Sequence, residues 1–251
     1  MSDGRARFPG CVPRDSRRDV GALRGKWALV TGSSRGIGQQ IAVGLAREGC
    51  NLILHARAVD HLVQTAGLLA AYEIESVAVA GDFATEAGVT AVVRAVTSNP
   101  GVVDILYNNA AIQNEWQDLW EIPRGTWDEA FQVNVHALVA MCTAFVPGMV
   151  ERGYGRIINL TSGIRDIPQL APYSVSKAAV DKYTQDLAAE LSGTNVLVNT
   201  LDPGWLRTDM GGPDADHDVV TVLPGALVPA LLDDDGPSGR RYSVQDRAWE
   251  R

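Results

Sequence analysis

Short apolar runs alternate with longer segments of helical periodicity from Gly25 towards the end of the chain. Several of these runs are apolar almost throughout, which is typical of parallel strands that are covered on both faces. The runs predict strands over residues 27–31, 51–56, 76–80, 103–107, 156–160 and 196–201, and a last strand over residues 241–244.

Two of the intervening segments carry clear helix signals. An apolar repeat at i, i+4 and i+8 begins at Ile37 and predicts a helix that ends near Gly49. Thr126 and Glu129 have the spacing of a capping box, which predicts the start of a long helix that runs through Met149.

The remaining helical segments complete a regular alternation of strands and helices. Pro147 is expected to kink or end the long helix near its last turn. A further helix is predicted over residues 173–191, and residues 219–232 read as a helix that prolines and a glycine interrupt. This alternation predicts an α/β fold of the single-domain Rossmann type, a doubly wound parallel sheet of about seven strands flanked by helices.

The two ends of the chain differ from this pattern in different ways. Residues 1–23 contain five arginines and no apolar periodicity, so we expect a disordered tail or upstream sequence, with a targeting role as the alternative. Residues 24–251 are expected to form one domain, since no linker or internal repeat divides them.

Charge and cysteine content exclude several classes of protein. The net charge is −8, which argues against binding to nucleic acid or to a membrane surface. Cys11, Cys50 and Cys142 form no C-x-x-C pair, so we expect neither a disulfide framework nor a zinc site, and a reducing, cytoplasmic location. The four histidines are dispersed, and no metal site is predicted.

The first chemical signal is a glycine-rich turn between a strand and a helix. Residues 26–38 read KWALVTGSSRGIG. Gly32 would allow the tight turn, Gly36 would let the backbone approach a pyrophosphate, and Gly38 would permit close packing of helix on sheet. The helix N-terminus then offers free N–H groups to phosphates. A plain strand–helix turn is the alternative for these glycines alone.

The second signal is a tyrosine one helical turn before a lysine. Tyr173 and Lys177 are spaced i, i+4 and are therefore expected to point into one cleft. A free tyrosine has a pKa of about 10, and a nearby ammonium is expected to lower it towards the range that suits carbonyl reduction. Ser162 is favoured over Thr161 as the hydrogen-bond donor to a substrate oxygen, because it precedes a glycine where the loop begins. Alone, such a pair is also common on surface helices.

Taken together, these motifs resemble the short-chain dehydrogenase/reductase family, and within it the carbonyl-reductase or ketoreductase type. The resemblance is carried by motifs that occur in the family's order. They are residues 31–38 (TGSSRGIG), Asp82, residues 108–111 (NNAA, where the family usually ends in glycine), Asn134, Ser162, residues 173–177 (YSVSK) and residues 203–208 (PGWLRT).

The resemblance implies an oxidoreductase that transfers hydride between a nicotinamide cofactor and a carbonyl or secondary alcohol. Its catalytic residues would be Asn134, Ser162, Tyr173 and Lys177, with Tyr173 as the general acid and base. Asn134 would hold a water that links Lys177 to solvent, and Lys177 would also bond the nicotinamide ribose. The implied cofactor-binding residues are Gly32, Ser34, Arg35, Gly36, Ile37, Gly38, Arg57, Asp82, Phe83, Asn109, Ala110, Ala111, Tyr173, Lys177, Pro203, Gly204, Leu206 and Thr208.

The end of the second strand indicates which cofactor is used. Ala56 stands where a carboxylate would accept the ribose 2′-OH of NAD, and Arg57 follows at once. Arg35 lies in the glycine turn, so two guanidinium groups could clamp a 2′-phosphate. The sequence therefore favours NADP(H) over NAD(H), unless Arg57 is only a solvated charge.

The substrate and the assembly are less well defined by the sequence. Candidate substrate contacts are Gln113, Trp116, Ile164, Arg165 and Trp205. The small lid segment after Thr208 predicts an open cleft with broad specificity for a small-molecule carbonyl or alcohol. The resemblance implies a homodimer or homotetramer. A dinucleotide-sensing regulatory or scaffold protein on the same fold, without turnover, is the alternative function.

Overall fold

The computed structural model describes residues 21–245 of the chain. Residues 1–20 of the predicted tail lie outside this range, as do residues 246–251. Residues 21–23 form a turn on the domain, because Leu23 is buried and its N–H donates to the Glu48 carbonyl at 3.0 Å.

Seven parallel strands form the central sheet, as the sequence predicts. The spatial order is β3-β2-β1-β4-β5-β6-β9, so the order reverses between β1 and β4. In doubly wound sheets ligands bind outside the carboxyl ends of the strands at such a reversal. The strands are β1 (Trp27–Val30), β2 (Asn51–Ala56), β3 (Ser76–Ala80), β4 (Ile105–Asn108), β5 (Gly155–Leu160), β6 (Val196–Asp202) and β9 (Arg241–Ser243).

Helices cover both faces of the sheet. They are α1 (Gly36–Arg47), α2 (Val63–Leu69), α3 (Glu86–Ser98), α4 (Arg124–Phe131), α5 (Ala137–Arg152) and α6 (Ala171–Glu190). Alternate strand residues enter two separate cores. Val30 and Tyr107 belong to the core beneath α1, whereas Leu29 and Leu106 belong to the core beneath α5. Burial on both faces explains why the inner strands β1, β2, β4, β5 and β6 are apolar almost throughout.

The long apolar helix begins and ends differently from its sequence prediction. Its first residue is Arg124, and Pro123 is the N-cap without a side-chain hydrogen bond, so the predicted capping box at Thr126 is wrong. The backbone is extended at Pro123, so the helix begins at Arg124, two residues before Thr126. Pro147 lies inside the helix, which continues to Arg152 because Gly153 provides a left-handed end (φ 66°).

A five-residue π-helix, Gln132–His136, joins α4 and α5 into one continuous rod. The rod from Arg124 to Arg152 is long and apolar enough to cross a bilayer by length and composition alone, but half of its most apolar window is buried. Met141 and Met149 are fully buried in the core beneath the helix. Packing on the sheet accounts for the apolar composition.

The C-terminal segment contains 3₁₀ helices where the sequence predicts an interrupted α-helix. Residues 219–232 form two 3₁₀ helices, Val219–Val222 and Gly225–Ala230, because the prolines of this stretch cannot donate backbone hydrogen bonds. The hydroxyl of Tyr107 donates to the Ala226 carbonyl at 2.8 Å and ties this segment to β4. Before it, β7 (Leu206–Arg207) and β8 (His217–Asp218) form a small separate ribbon.

Candidate active site

The glycine turn lies at the carboxyl end of β1 and has the geometry that the sequence predicts. Gly32 and Gly36 have left-handed φ angles of 65° and 59°. A Cβ on Gly38 would lie 2.4 Å from the Gly32 carbonyl oxygen and 2.6 Å from Asn109 Nδ2, so only glycine fits there. The first turn of α1 carries no acidic side chain, and its N-cap Arg35 makes no side-chain cap bond. The helix N-terminus is therefore suited to an anion.

Asn109 and Thr31 hold this turn against the loop that follows β4. Asn109 Nδ2 donates to the carbonyls of Thr31 at 2.8 Å and of Gly32 at 3.0 Å. The hydroxyl of Thr31 accepts the N–H groups of Asn109 and Ala110, each at 3.0 Å. The predicted cofactor residues Asn109 and Ala110 thus shape the glycine turn itself, and the partly buried Ala111 follows them.

His55, which was not among the residues predicted from the sequence, supports the glycine turn from β2. Its Nδ1 accepts the Gly32 N–H at 3.1 Å, and its Nε2 lies 2.9 Å from the Gly81 carbonyl. The ring stacks on Phe83 with centroids 4.2 Å apart. Burial lowers the pKa of His55, so the neutral form with a proton on Nε2 satisfies both bonds. A polar residue inside the apolar run of β2 was the signal for this role.

The two arginines proposed for a 2′-phosphate have different partners. Arg57 is exposed and forms no ion pair with any residue from 21 to 245. Arg35 forms an ion pair with Asp209 at 2.8 Å, and both side chains are 70% exposed. Exposed pairs of this kind contribute little to stability, so Arg35 is free to exchange partners. Asp82 is exposed, and its carboxylate accepts the Ala84 N–H at 3.0 Å.

Asn134 lies in the π-helix and joins two parts of the site. Its Oδ1 accepts the Ile112 N–H at 2.8 Å, while its Nδ2 donates to the Ile112 carbonyl and to Ser176 Oγ, both at 2.9 Å. Ser176 in turn donates to the Tyr173 carbonyl at 2.7 Å. The loop after β4 is therefore fixed to α6 through Asn134, and its implied water contact stays a prediction.

Tyr173, Ser162 and Lys177 lie together where β5 ends and α6 begins. The Ser162 hydroxyl lies near enough to the Tyr173 phenol to affect its pKa, and the Lys177 ammonium lies 5.8 Å from the centre of the Tyr173 ring. Lys177 Nζ donates to the Leu160 carbonyl at 2.8 Å. Thr161 Oγ1 lies 3.5 Å from the Lys177 carbonyl instead. Ser162, rather than Thr161, therefore faces the phenol.

Burial dominates the protonation of this group. It raises the pKa of Tyr173, the Ser162 hydrogen bond lowers that pKa, and Asp202 raises it further. Burial lowers the pKa of Lys177 to about 8, while Asp181 raises it. The expected net lowering of the Tyr173 pKa by Lys177 is therefore corrected. In this state the Lys177 ammonium bonds a backbone carbonyl, and desolvation of the phenol has the larger effect.

Two of the predicted substrate contacts lie in the short loop after Ser162. Ile164 is half-buried, and its N–H donates to Ser162 Oγ at 3.2 Å. Arg165 is exposed and has no ion pair with the residues that the structure describes. Gln113 is half-buried in the loop after β4. Of these three residues, Ile164 makes a hydrogen bond to a catalytic candidate within the part of the chain that the structure describes.

The two tryptophans proposed as substrate contacts are exposed rather than packed in the core. Trp116 is 66% exposed and Trp205 is 53% exposed. Trp205 Nε1 donates to the Gly211 carbonyl at 2.8 Å, which fixes the indole in the segment after β6. Neither indole is covered by packing inside the domain.

The Pro203–Gly204 segment is held by residues that the sequence analysis did not single out. Gly204 has φ 80°, and its N–H donates to Asp202 Oδ1 at 3.0 Å. Leu206 is buried, and the Thr208 hydroxyl accepts the Gly211 N–H at 3.0 Å. An aspartate directly before Pro-Gly at a strand end was the signal for Asp202.

Asn114 is a second residue that the sequence analysis missed. Its Oδ1 accepts the Tyr173 N–H at 3.3 Å, and its Nδ2 donates to the Gln169 carbonyl at 2.9 Å. The loop after β4 is therefore tied to the start of α6 from this side as well.

Comparisons with known proteins agree with the fold described above. The family model described as short chain dehydrogenase matches residues 26–218. The gluconate 5-dehydrogenase of Gluconobacter oxydans is 34% identical over 197 residues, which cover 78% of this chain and 77% of that protein. The 5-keto-D-gluconate 5-reductase of Escherichia coli K12 is 31% identical over 194 residues, 76% of each chain. A metagenomic short-chain oxidoreductase solved with NADP superposes with a TM-score of 0.77 at 27% identity, covering 88% of this chain and 98% of that one.

Replacing Lys177 with methionine is expected to stabilise the protein while removing the buried charge. The folded-state pKa of about 8 lies below the ordinary 10.5, so burying this charge costs free energy at neutral pH. We expect the free energy of unfolding at pH 7 to rise by roughly 1–3 kcal/mol in Lys177→Met. Between pH 8 and 10.5 the unfolded wild type binds more protons than the folded one, so wild-type stability rises and the difference narrows.

Lys182→Met is the matched control, because Lys182 is exposed on the same helix and pairs with Asp186. It should change the free energy of unfolding by less than about 0.5 kcal/mol. Denaturant unfolding at pH 7 and pH 9.5 measures both variants. No gain in Lys177→Met at pH 7, or a gain that does not shrink at pH 9.5, contradicts the buried-charge account.

Proposed function

The chain belongs to the short-chain dehydrogenase family, whose named relatives act on CH–OH and C=O groups. From this premise we propose that it is an NADP(H)-dependent oxidoreductase that interconverts a carbonyl and a secondary alcohol, with Tyr173 as general acid and base. The observation that carries the proposal is the contact of Ser162 with the buried Tyr173 side chain, next to the buried Lys177.

The residues at the carboxyl edge of the sheet fit a dinucleotide. Gly32, Gly36 and the N-terminus of α1 would hold the pyrophosphate, because the first turn of α1 has no acidic side chain and its N-cap makes no side-chain hydrogen bond. Phe83, backed by the neutral His55, would line the adenine side. When bound, the nicotinamide supplies or receives the hydride.

Tyr173 and Ser162 supply the proton chemistry. Because burial raises its pKa, Tyr173 is protonated at neutral pH and is ready to donate a proton to a substrate oxygen. Ser162 Oγ already accepts the Ile164 N–H, so its own proton is directed to an acceptor such as the phenol oxygen. That hydrogen bond stabilises the phenolate which remains after proton transfer.

Lys177 supplies a positive charge close to Tyr173 up to about pH 8. Above that pH the buried amine loses its proton, and its electrostatic support of a phenolate is lost. Asn134 and Asn114 keep the loop after β4 against α6, so the position of Tyr173 relative to the glycine turn is fixed.

NADP(H) is proposed over NAD(H) on the basis of the end of β2. Ala56 supplies no carboxylate to repel a 2′-phosphate, and the exposed Arg57 lacks an ion-pair partner among residues 21–245. Arg35 would add a second guanidinium on exchanging its exposed partner Asp209. The substrate is proposed to be a small carbonyl or alcohol. Assembly as a homodimer or homotetramer and a cytoplasmic location stay predictions.

Tyr173→Phe is the experiment that tests the function. The variant should keep cofactor affinity within about twofold and lose about 10²–10⁴-fold in turnover, because only the transferable proton is removed. Turnover is followed at the nicotinamide absorbance band with a panel of ketones, sugar acids such as 5-keto-gluconate, and secondary alcohols.

Tyr72→Phe serves as the control, since the Tyr72 hydroxyl accepts a hydrogen bond from Arg47 at the surface and its removal should be neutral. Undiminished turnover in Tyr173→Phe would show that another group is the acid. Tight cofactor binding without turnover of any panel member in the wild type would favour the sensor or scaffold alternative.

Arg57→Ala tests the cofactor preference. We expect the KM for NADPH to rise about tenfold or more, because a charge-assisted bond to phosphate contributes roughly 1.5–3 kcal/mol. The KM for NADH should stay within about twofold. Arg47→Ala, at the opposite end of α1, is the charge-matched control. Equal losses with both cofactors, or wild-type use of NADH as good as that of NADPH, contradict the assignment.

A further inference from the structure

A charged network that the proposed chemistry does not use lies next to the catalytic residues. The Arg241 guanidinium bonds Asp181 Oδ2 at 3.1 Å and Asp202 Oδ2 at 3.0 Å. The three residues come from β9, α6 and the end of β6, which they join at the carboxyl edge of the sheet. One fixed positive charge therefore stands between two carboxylates.

Both carboxylates act on the catalytic groups. Asp181 lies one helical turn after Lys177, which itself lies one turn after Tyr173, so the three share a face of α6. Asp181 raises the pKa of Lys177, and its Oδ1 is buried without a hydrogen-bond partner within residues 21–245. Asp202 raises the pKa of Tyr173.

The loop that carries Ser162 rests on the same ion pair. A Cβ on Gly163 would lie 2.8 Å from Asp202 Oδ2 and 3.8 Å from the Arg241 guanidinium. Asp202 also accepts the Gly204 N–H at 3.0 Å, which fixes the start of the Pro203–Gly204 segment. Arg241 thus bonds Asp202, which lies against the loop that carries Ser162 and also fixes the Pro203–Gly204 segment.

We propose that Arg241 is a positioning residue that balances the charges of Asp181 and Asp202 and so sets the pH at which Tyr173 exchanges its proton. The proposal rests on the function proposed above. An arginine suits this role because its charge does not titrate in proteins and its planar fork reaches two carboxylates at once.

The charged groups that face the phenol come from three elements. Within residues 21–245 they are Lys177 from its own helix and Asp202 from β6, with Asp181 acting through Lys177 and Arg241 of β9 opposing both carboxylates. Removing the guanidinium leaves the Asp202 carboxylate, which acts on the phenol directly, unbalanced. We expect this effect to outweigh the opposite effect of Asp181, whose charge favours a protonated Lys177. Formation of the phenolate then becomes less favourable, so proton loss from Tyr173 moves to higher pH.

Arg241→Gln tests this in the direction of alcohol oxidation, which requires the phenolate. The rising limb of log kcat/KM against pH should move up by roughly 0.5–1.5 pH units. Arg241→Lys keeps the charge and should leave the limb in place. In the double variant Arg241→Gln/Asp202→Asn the limb should return towards the wild-type position, because the carboxylate next to the phenol is also neutralised.

Arg240→Gln is the matched control, since it removes an exposed arginine from the adjacent position. An unmoved limb in Arg241→Gln overturns the proposal, as does an equal shift in Arg240→Gln or in Arg241→Lys. A uniform loss of activity with an unchanged limb would mean a purely structural role and overturns it as well.

Phenolate absorbance gives a readout that does not need turnover. Each protein is titrated against its own Tyr173→Phe counterpart, so the difference reports Tyr173 alone. If the wild type turns over no substrate, the proposed function fails, yet the order of the Tyr173 midpoints still decides the role of Arg241. A midpoint in Arg241→Gln that equals the wild-type value contradicts the proposal.

Discussion

The buried ammonium of Lys177 is the interaction on which the site depends. Burial lowers its pKa to about 8, so the domain keeps this charge only by giving it the Leu160 carbonyl and a nearby carboxylate, Asp181. The sheet places β5 and α6 so that the carbonyl and the amine meet. Burying this charge costs stability at the position where the proposed chemistry needs a positive charge, which is a common compromise in enzyme sites.

The glycine turn, where the cofactor is proposed to bind, is held in place by neutral side chains instead. His55 accepts from Gly32, lies against the Gly81 carbonyl and stacks on Phe83, while Asn109 holds the turn from the other side. These bonds pair the polar groups of His55 and Asn109 within the protein. The N–H groups at the start of α1 are left for a ligand. A glycine turn held by neutral groups, next to the Arg241 ion-pair cluster, fits the proposed binding of an anionic dinucleotide beside a proton-transfer site.

The sequence predicted those features that depend on local pattern. Apolar runs located the five inner strands of the sheet because both of their faces are buried, and i, i+4 spacing placed Tyr173 and Lys177 on one helix face. The start of α4 was misjudged because Pro123 outweighed the capping pattern at Thr126. Contacts between positions that are distant in sequence were not predicted. One example is the ion pair of Arg241 with Asp181, 60 residues away. The raised pKa of Tyr173 depends on its burial in the folded protein, which the spacing of residues in the sequence does not reveal.

The protonation of Lys177 is the most direct test of this account, and the chain is suited to it because Lys26, Lys177 and Lys182 are its only lysines. Heteronuclear NMR can follow the side-chain ammonium signals as a function of pH, with Lys177→Met identifying the signal of interest. The account requires a signal that titrates with a midpoint of about 8 and is absent from that variant. A Lys177 signal that titrates in the ordinary range of about 10.4 would contradict it.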